Sequence, residues 1–480
     1  MEMSTPRPHF LLLAFPLQGY IAPALRLAKR LLAAAPDALV TFSTTAAAHS
    51  RMFSSSGEDN CSDGDGRLEF LPFSDDEVAA KPGRGAVVDA AACSAYMASF
   101  HGASARGAGA LMDALRSRGR PVTRVVYTLM LPWPARVARA RGVPSTLYWP
   151  QPAAVFAAYH HYFLSGYAGV VDEHRHDPSY VVHLPGLPPQ RVGDLPSFIT
   201  ESTDPSHLFH GVFTTLRDHF DVLRDREEEA TVLVNSSREL EPGALAAVGA
   251  ARNLLLLPVG PVVASHDEAG LFRAEYGSKH MEWLNTKPAR SVVYVAIGSF
   301  VLMAREQLAE LLRGLEDTGR PYLLVVRKDN KQQAAADYGV LDLLKNGIVV
   351  EWCDQVRVLA HAAVGCFVTH CGWNSVMESV ASGVPIVGMP HFSDQRTNAR
   401  LVERQWRVGV RALADNGSSG LVRAAELRRC IQEVMGDGEA AAKLRRNARE
   451  WKRVVAQATA KGGSSDSSLM EFVQGAAGTC

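Results

Sequence analysis

The chain has 480 residues, of which 47% are hydrophobic and 21% are charged, and its 50 basic residues balance its 50 acidic residues. This length allows two or three domains with buried cores, and the composition is that of an ordinary globular protein. Because the formal net charge is zero, no overall field attracts nucleic acid or an anionic membrane surface, and polyanion binding is disfavoured.

Seven cysteines are scattered along the chain without any CxxC pair. The odd number and the spacing argue against a disulfide framework and against a zinc site, and they fit a reducing compartment. The apolar run at 10–15 is too short for a membrane span. It also lacks the charged start and the small-residue cleavage site of a good signal peptide. We therefore expect a cytoplasmic protein.

Buried strands alternate with helices through the first half of the chain. The apolar residues 9–16 predict a first strand that ends in the turn PLQG, after which Pro23 opens a helix. Continuous apolar strands separated by helices indicate a parallel sheet covered on both faces. Four further strands are predicted in this half: 38–45, 124–131, 145–149 and 231–235.

The alternation restarts at 291–297, which reads SVVYVAI. The next helix places four leucines at i, i+3, i+4 and i+7, which predicts one buried stripe: Leu308, Leu311, Leu312 and Leu315. A strand is predicted at 321–326. We therefore predict two doubly wound α/β domains whose ligands bind at the carboxyl ends of the strands. The predicted boundaries are an N-terminal domain at 1–259, a linker at 260–287, a second domain at 288–455 and a C-terminal segment at 456–480.

The most informative segment is 352–395. Its pattern predicts a strand at 364–369, a tight loop at 370–374, a helix at 375–382 and a strand at 384–389. Free backbone amides and the dipole at the start of such a helix attract phosphate. The segment therefore has the form of a βαβ unit with an anion site in its first loop.

The side chains of that loop allow two interpretations. His370, Asn374 and Ser375 suit phosphate binding, and Gly372 permits close approach of the backbone. However, Ser375 and Glu378 also fit a capping box that simply starts the helix. Anion binding and helix capping both stay open on these residues alone.

The whole segment 352–395 reads WCDQVRVLAHAAVGCFVTHCGWNSVMESVASGVPIVGMPHFSDQ. It closely resembles, at full length and without gaps, the donor-binding signature of plant family 1 UDP-glycosyltransferases. The stretches VVYTLMLPW, HLPGLPP and EWLNTKP resemble the branch that contains anthocyanin 5-O-glucosyltransferases and enzymes that make glucose esters of plant acids.

This resemblance implies the α/β fold called GT-B, in which two Rossmann-like doubly wound domains face a cleft. The N-terminal domain would bind the acceptor, the second domain would bind the UDP-sugar, and the last helix would pack back on the N-terminal domain. The implied reaction is inverting transfer of glucose from UDP-glucose to a small plant metabolite. The acceptor would be a carboxylic acid, such as a hormone or a phenolic acid, or a flavonoid or anthocyanin hydroxyl.

The resemblance also implies a role for each residue of the donor site. Trp352 would stack on uracil, Cys353 would meet the edge of uracil through its backbone, and Gln355 and Glu378 would bind the ribose hydroxyls. The diphosphate would be held by four residues: Ser299, His370, Asn374 and Ser375. The sugar hydroxyls would be read by three residues: Trp373, Asp394 and Gln395. Gln395 favours glucose, because the family often has His there for galactose.

No metal and no other cofactor is implied, and UDP-glucose would be the donor substrate. We expect a monomer with a small apolar acceptor, without nucleic acid or membrane partners. The residues placed near the acceptor are Gly19, Tyr20, Trp149 and Gln151.

The sequence departs from the family at the catalytic position. The family has Gly-His at the first turn, with that His as general base, whereas this chain has Gly19-Tyr20. The partner Asp of the family is replaced by Thr128. A phenol with a pKa of about 10 is protonated at pH 7, whereas an imidazole with a pKa of about 6.5 can accept a proton. General-base catalysis contributes roughly 10²–10⁴-fold.

Three interpretations follow from this departure. The acceptor is already ionised, as a carboxylic acid is, and needs no base. Alternatively, another side chain acts as the base, with five candidates chosen by residue type: Asp75, Asp76, His101, His160 and His161. As a third alternative, the chain is a UDP-sugar or small-molecule binding protein with little or no turnover.

Overall fold

The computed structural model describes residues 7–53, 65–74, 89–226, 229–249, 253–263, 279–298, 303–326, 345–415 and 420–477. The chain divides into two compact units. Met1–Val262 and Ala458–Cys480 belong to the first unit, and the second unit is formed mainly by Arg273–Gln457. Each unit has its own parallel sheet with helices packed against it.

Within the described ranges, the sheet of the first unit has seven parallel strands. They are β1 (His9–Leu13), β2 (Leu39–Ser43), β3 (Leu68–Phe70), β4 (Arg124–Thr128), β5 (Ser145–Trp149), β8 (Ala230–Val234) and β9 (Leu254–Pro258), and β6 (Val181–Val182) and β7 (Gln190–Arg191) form a separate antiparallel pair. The order across the large sheet is β3-β2-β1-β4-β5-β8-β9.

Helices separate these strands. They are α1 (Gln18–Ala34), α2 (Ala46–Phe53), α3 (Ala90–Ser117), α4 (Pro134–Arg139), α5 (Ala153–Leu164), α6 (Ala168–Glu173), α7 (Ser197–Thr200), α8 (His210–Arg224) and α9 (Pro242–Gly249), with a 3₁₀ turn at Val192–Asp194. Strands β1 and β5 are buried at every residue. Burial on both faces explains why these strands read as continuous apolar runs.

In the part of the second unit that the structure describes, the sheet has six parallel strands. They are β10 (Val292–Ala296), β11 (Tyr322–Val325), β12 (Gly347–Val350), β13 (Val364–Thr369), β14 (Ile386–Gly388) and β15 (Gly409–Arg411), in the order β12-β11-β10-β13-β14-β15. The helices are α10 (Lys279–Asn285), α11 (Arg305–Glu316), α12 (Gln355–Leu359), α13 (Trp373–Ser382), α14 (Gln395–Arg400), α15 (Ala424–Met435) and α16 (Glu439–Thr459), and a π-helical turn spans Leu401–Gln405.

The strand order reverses once in each sheet. The reversal lies between β1 and β4 in the first unit and between β10 and β13 in the second. Ligands of doubly wound sheets bind beside such a switch point, at the carboxyl ends of the strands. The loops after these four strands are therefore the positions where a site is expected in each unit.

The last helix, α17 (Ser464–Ala477), packs within the first unit against α1 and β9. The rings of Phe10 and Phe472 lie 6.1 Å apart, and Leu469 and Phe472 are both buried in the same core as β1. The Ser465 hydroxyl donates a hydrogen bond to the carbonyl of Gly260. The C-terminal segment therefore completes the core of the first unit.

The helix stripe predicted in the second unit is confirmed, since Leu308, Leu311, Leu312 and Leu315 are all buried in α11. The strand predicted at 124–131 is too long, because β4 ends at Thr128 and Met130 has a φ of 72°. A residue in the left-handed region cannot continue a strand. None of the helices in the described part of the chain has the length and hydropathy needed to cross a membrane.

The start of the first helix was also predicted wrongly. Helix α1 begins at Gln18, so Pro23 lies inside the helix rather than opening it. The turn predicted at 16–19 is thus partly helical, and Tyr20 lies in the first turn of α1. The helix predicted at 375–382 likewise begins two residues earlier, at Trp373.

Candidate active site

His370 marks the switch point of the second unit. It follows β13, and its imidazole ring lies between Gly298, just after β10, and Gly372. A Cβ atom would come within 2.5 Å of the ring at Gly298 and within 2.4 Å at Gly372. Gly298 also has a φ of 83°, which favours glycine. Both positions therefore require glycine for the ring to keep its place.

Burial keeps this imidazole neutral. Desolvation lowers the pKa of His370 to about 4. Its Nδ1 lies 3.3 Å from the hydroxyl of Thr369. A neutral ring carries one N–H, which can donate a hydrogen bond to a phosphate oxygen without placing a buried positive charge.

The helix α13 begins directly after His370. Its N-cap is Gly372, and among the described residues no side chain caps the helix there. Asn374 and Ser375 lie in its first turn. The capping box from Ser375 to Glu378 is therefore wrong, because a helix that starts at Trp373 places Ser375 inside its first turn. The helix dipole and backbone amides make this end suitable for an anion.

A hydrogen-bonded network connects α12, α13 and β10. The amide nitrogen of Gln355 donates to the Ser375 hydroxyl at 3.1 Å and to the Glu378 carboxylate at 2.8 Å. The Tyr294 hydroxyl donates to the amide oxygen of Gln355 at 3.2 Å. Gln355 therefore brings together two other residues predicted to bind the UDP-sugar, Ser375 and Glu378, and the buried Tyr294 fixes which way its amide points.

Sequence reasoning missed Tyr294. A signal was present, because this tyrosine is the polar exception in the apolar strand SVVYVAI. Its ring stacks on Phe367 at 4.8 Å, and its hydroxyl also lies 3.3 Å from the sulfur of Cys353. Buried tyrosine hydroxyls usually find a partner, and here the partner is a residue of the site.

The residues expected around uracil, Trp352 and Cys353, are the first two residues of the segment 352–395. Trp352 is half-buried, whereas Cys353 is buried. The Cys353 side chain points to Tyr294, and burial raises the pKa of its thiol to about 12. The thiol of Cys353 is therefore neutral and directed into the unit, and the contact of its backbone with uracil stays a prediction. The predicted Ser299 lies outside the described residues.

The residues expected at the sugar lie at the start of α14. Asp394 is 6% exposed, and burial raises the pKa of its carboxyl to about 6. The amide oxygen of Gln395 accepts hydrogen bonds from the backbone of His391 at 2.9 Å and of Phe392 at 3.2 Å. The loop before α14 is thus closed by Gln395, whose N–H groups take no part in these two bonds.

Trp373 differs from its predicted role. Its indole is 3% exposed and lies 5.9 Å from the ring of Trp406. Trp406 is in turn 6.2 Å from Trp451. Most of the Trp373 side chain therefore belongs to a row of core tryptophans, because such large apolar rings stabilise a core when they are removed from water.

The switch point of the first unit has a different chemistry. The Thr128 hydroxyl, at the end of β4, accepts a hydrogen bond from the backbone N–H of Phe15 at 2.9 Å. Thr128 is fully buried. The Tyr20 ring packs edge-on against Phe15 at 5.4 Å, and Phe15 packs against Phe100 at 5.6 Å. Thr128 thus fixes the β1–α1 loop, and Tyr20 belongs to an aromatic cluster.

His101, a candidate substitute base, is held by α8. Its Nε2 lies 3.3 Å from the Thr215 hydroxyl, which itself donates to the carbonyl of Gly211 at 2.8 Å. The Thr215 oxygen therefore accepts the Nε2–H, which leaves the lone pair on Nδ1. Burial lowers the pKa of His101 to about 4, and Nδ1 is shielded from solvent.

The other candidates lie on α5 or outside the described residues. His161 contacts the carbonyl of Pro185 through Nε2 at 3.0 Å, and its Nδ1 is also shielded from solvent. The Nδ1 of His160 lies 3.3 Å from the Ser165 hydroxyl, and burial lowers the His160 pKa to about 4. Two further candidates lie outside the described residues: Asp75 and Asp76.

The residues predicted near the acceptor divide into core and surface positions. Trp149 is fully buried and donates its indole N–H to the carbonyl of Pro152 at 3.1 Å. Its side chain therefore packs inside the unit rather than lining a pocket, which corrects the prediction. Gly19 is exposed, with no atom within 4 Å of an added Cβ, and Gln151 is half-buried.

Glu241 was missed entirely by sequence reasoning. This fully buried carboxylate accepts hydrogen bonds from the backbone of Ala153 at 2.9 Å and of Ala154 at 2.8 Å, and from the Ser236 hydroxyl at 2.5 Å. It therefore holds the start of α5, next to Gln151. No sequence pattern marks Glu241, because the backbone amides that it binds, those of Ala153 and Ala154, lie 88 and 87 residues away along the chain.

No group of three or more His, Cys, Asp or Glu side chains within the described ranges is arranged to hold a metal ion. The polar groups described above in the second unit lie at the start of α13 and at the carboxyl ends of β10 and β13. This arrangement suits a ligand that carries a diphosphate.

Comparison with known proteins agrees with this geometry. The family model for UDP-glucoronosyl and UDP-glucosyl transferases matches residues 261–437. The chain is 40% identical to the chloroplastic crocetin glucosyltransferase of Gardenia jasminoides, over 98% of this chain and 97% of that protein. It is 39% identical to the anthocyanidin 3-O-glucoside 5-O-glucosyltransferase of Verbena hybrida, over 97% of this chain and 98% of that protein.

The fold agrees with that of a solved relative. The crystal structure of Os79 from O. sativa in complex with UDP matches 97% of this chain and 100% of its own, with a TM-score of 0.78 and 31% identity. These relatives favour an enzyme over a binding protein without turnover. The chain therefore belongs to the plant family 1 UDP-glycosyltransferases, near the branch of the anthocyanin 5-O-glucosyltransferases, and is a UDP-glucosyltransferase with the GT-B fold.

Proposed function

We propose that this enzyme transfers glucose from UDP-glucose, with inversion, to the carboxylate of a small plant metabolite. One observation carries the choice of a carboxylate. At the switch point of the first unit, where the family has an imidazole and its partner Asp, the chain has Tyr20 and the buried Thr128. Neither side chain can accept a proton at neutral pH, because both are already protonated there. The phenol of tyrosine has a pKa of about 10, and the alcohol of threonine is a weaker acid still.

A carboxylate nucleophile avoids this difficulty. With a pKa of about 4–5 a carboxylic acid is ionised at pH 7 and has no proton to lose. Its oxygen forms a bond to the anomeric carbon as the bond from that carbon to the diphosphate oxygen breaks. UDP leaves with the bonding electron pair, and the product is a glucose ester.

In this scheme the second unit binds the donor and stabilises the leaving group. His370 and the start of α13 would donate hydrogen bonds to the diphosphate, where negative charge increases as UDP leaves. Gln355 and Glu378 would hold the ribose, and Asp394 and Gln395 would bind the glucose hydroxyls. Neutral N–H donors suffice for these steps, so we propose that no metal takes part.

A second acceptor class is favoured by the relatives. The Verbena hybrida enzyme is named for transfer to an anthocyanidin 3-O-glucoside, which suggests a flavonoid or anthocyanin hydroxyl here. A phenol would need a base, and two of the three described histidine candidates have a ring nitrogen shielded from solvent, His101 and His161. The carboxylate therefore remains the first choice.

The test is a panel of acceptors with UDP-glucose, followed by product mass. The panel contains an aromatic carboxylic acid, a flavonoid phenol and an aliphatic alcohol of similar size. We expect transfer to the acid alone, and a product that dilute alkali hydrolyses as an ester. Transfer to the phenol at an equal or greater rate would reject the carboxylate proposal and favour the flavonoid acceptor.

We further propose that the enzyme works as a cytoplasmic monomer. The scattered cysteines fit a reducing compartment, and each proposed role falls to residues of one chain. Light scattering of the purified protein and the location of a fluorescent fusion would test these two points.

A further inference from the structure

Asn398 joins two parts of the second unit that are distant in sequence. It lies in α14 and is fully buried. Its amide nitrogen donates to the carbonyl of Cys371 at 2.9 Å and to the Asp394 carboxylate at 2.7 Å. The two N–H groups of one side chain therefore bind the loop after β13 and the residue at the start of α14.

The loop side of this connection is conformationally demanding. Cys371 has a φ of 64°, in the left-handed region that residues with a Cβ rarely adopt. A Cβ atom added to Gly388 would come within 2.6 Å of the Cys371 sulfur, so the Cys371 side chain has no room to move toward that strand. The Asn398 bond to the Cys371 carbonyl thus holds a strained residue between His370 and Gly372.

The other side of the connection concerns a charge. Burial raises the pKa of Asp394 to about 6, while the hydrogen bond from Asn398 favours the ionised carboxylate and lowers this pKa. Loss of that bond must therefore raise the pKa of Asp394 further. At pH 7 a larger fraction of the carboxyl would then be protonated.

Three neighbouring groups have pKa values that burial displaces from their ordinary ranges. Burial raises the pKa of Cys371 to about 12 and lowers the pKa of His370 to about 4, and it also lowers the pKa of His391. The remaining charged groups are Arg396 and Arg400 on α14 itself, Glu378 on α13, Arg411 on β15, and Glu403 and Arg404 on the π-helical turn. Glu378 is bonded to Gln355, and Arg411 lies 3.9 Å from Glu403.

We propose that Asn398 is a positioning residue that holds the His370–Gly372 loop and Asp394 in one arrangement, so that the diphosphate and the sugar of the donor are recognised together. The proposal rests on the donor half of the proposed function, in which Asp394 binds a glucose hydroxyl. It does not depend on the class of acceptor.

The test measures binding of UDP-glucose and of UDP by calorimetry between pH 5 and pH 8.5. UDP-glucose has no group that titrates in this range, so a loss of affinity toward acid reports the protein. The variants are Asn398→Leu, which removes both donors, and Asn398→Asp, which keeps the shape but replaces the amide with an acceptor. Asn447→Leu is the matched control, because Asn447 donates a similar bond to the carbonyl of Arg407 at 2.9 Å away from the site.

We expect the wild-type affinity for UDP-glucose to fall below about pH 6, and this fall to disappear in Asp394→Asn. Asn398→Leu should move the midpoint of the fall to higher pH and weaken UDP-glucose binding at pH 7 by about tenfold. Asn398→Leu should also weaken UDP binding at pH 8.5, because the His370–Gly372 loop loses the hydrogen bond that holds it. Asn398→Asp should show the larger pH shift, since it places two carboxylates together, and Asn447→Leu should change neither ligand.

The possible failures are distinct. If wild-type binding of UDP-glucose shows no fall toward acid, Asp394 does not bind the sugar and the donor half of the proposed function is wrong. If the fall is present but both Asn398 variants, folded by thermal melting, keep its midpoint and the UDP affinity, the inference about Asn398 is overturned. Tolerance of Asn398→Asp alone would also overturn it, because that variant conserves packing and removes the donors.

Discussion

The two switch points of this enzyme have the same topology and opposite chemistry. In the second unit the loops after β10 and β13 meet where Gly298 contacts the ring of His370. In the first unit the loops after β1 and β4 meet where the backbone of Phe15 donates to Thr128. One switch point is built around a neutral imidazole beside a helix start, and the other around an aromatic cluster.

The comparison shows that binding of the donor and removal of a proton from the acceptor depend on different units. The polar groups of the second unit are mutually oriented, as the Tyr294–Gln355–Glu378 bonds illustrate, and a change at one member disturbs the others. The first unit keeps its loop through a hydroxyl and a backbone amide, and Tyr20, which we propose to stand in the position of the family's base, has a phenol that stays protonated at neutral pH. Donor recognition can therefore persist while the requirement on the acceptor changes.

The largest expected effect is at Gly298. Gly298→Ala should lower kcat/KM for UDP-glucose by about 10²-fold, because the new Cβ would displace the His370 ring. A displacement of about 1 Å in a catalytic group lowers the rate by about this factor. Steady-state kinetics with varied UDP-glucose would measure it. Gly319→Ala is the control, since Gly319 also has a positive φ, 65°, but no atom within 4 Å of an added Cβ. Equal losses in both variants would attribute the effect to backbone strain alone.

The next effect concerns the first unit and is a gain. Tyr20→His should raise transfer to phenols and alcohols by at least about tenfold, within the range of a recovered general base. Transfer to carboxylic acids should change much less, because that nucleophile carries no proton. Rates per bound acceptor, measured with each class, would show the contrast.

Tyr20→Phe serves as its control, because it keeps a ring beside Phe15 without adding a base. A uniform gain with all acceptors in Tyr20→His would mean that Tyr20 obstructs the acceptor by its size. No gain with any acceptor would mean that another residue is the base.

A smaller loss is expected at the uracil position. Trp352→Ala should weaken UDP binding by roughly 1–3 kcal/mol, by analogy with the stacking of bases on aromatic side chains. Calorimetric titration with UDP would measure the change. Trp283→Ala is the matched control, because Trp283 is also half-buried in the second unit and lies under the amine of Lys287 at 4.7 Å. Unchanged affinity in folded Trp352→Ala would remove Trp352 from the site.

The smallest effect tests the orientation of Gln355. Tyr294→Phe should weaken UDP binding by about 1 kcal/mol, the net contribution of one hydrogen bond, while the stacking on Phe367 remains. Fluorescence or calorimetric titration would detect it. Tyr322→Phe removes a comparable buried hydroxyl, which bonds to Glu316 at 2.7 Å, and should lower stability without changing UDP affinity. The opposite pattern would show that Tyr294 serves only the core.

Much of the fold was predictable from local pattern. The strands at 145–149 and 364–369 match β5 and β13, because apolar runs of this length between helices are typical of buried parallel strands. The leucine stripe of α11 follows from helical periodicity alone. The donor segment was recognisable because its residues are contiguous, so one βαβ unit carries most of the site.

The tertiary structure alone decided which of those residues work together and how. The bonds from Tyr294 to Gln355, from Glu241 to the start of α5 and from Asn398 to Cys371 join segments between 27 and 88 residues apart. It also decided that Trp149 belongs to the core and that the His101 lone pair is shielded. Sequence pattern reports the periodicity of burial along one element, whereas the partner and the direction of a side chain depend on packing between elements, which no local pattern encodes.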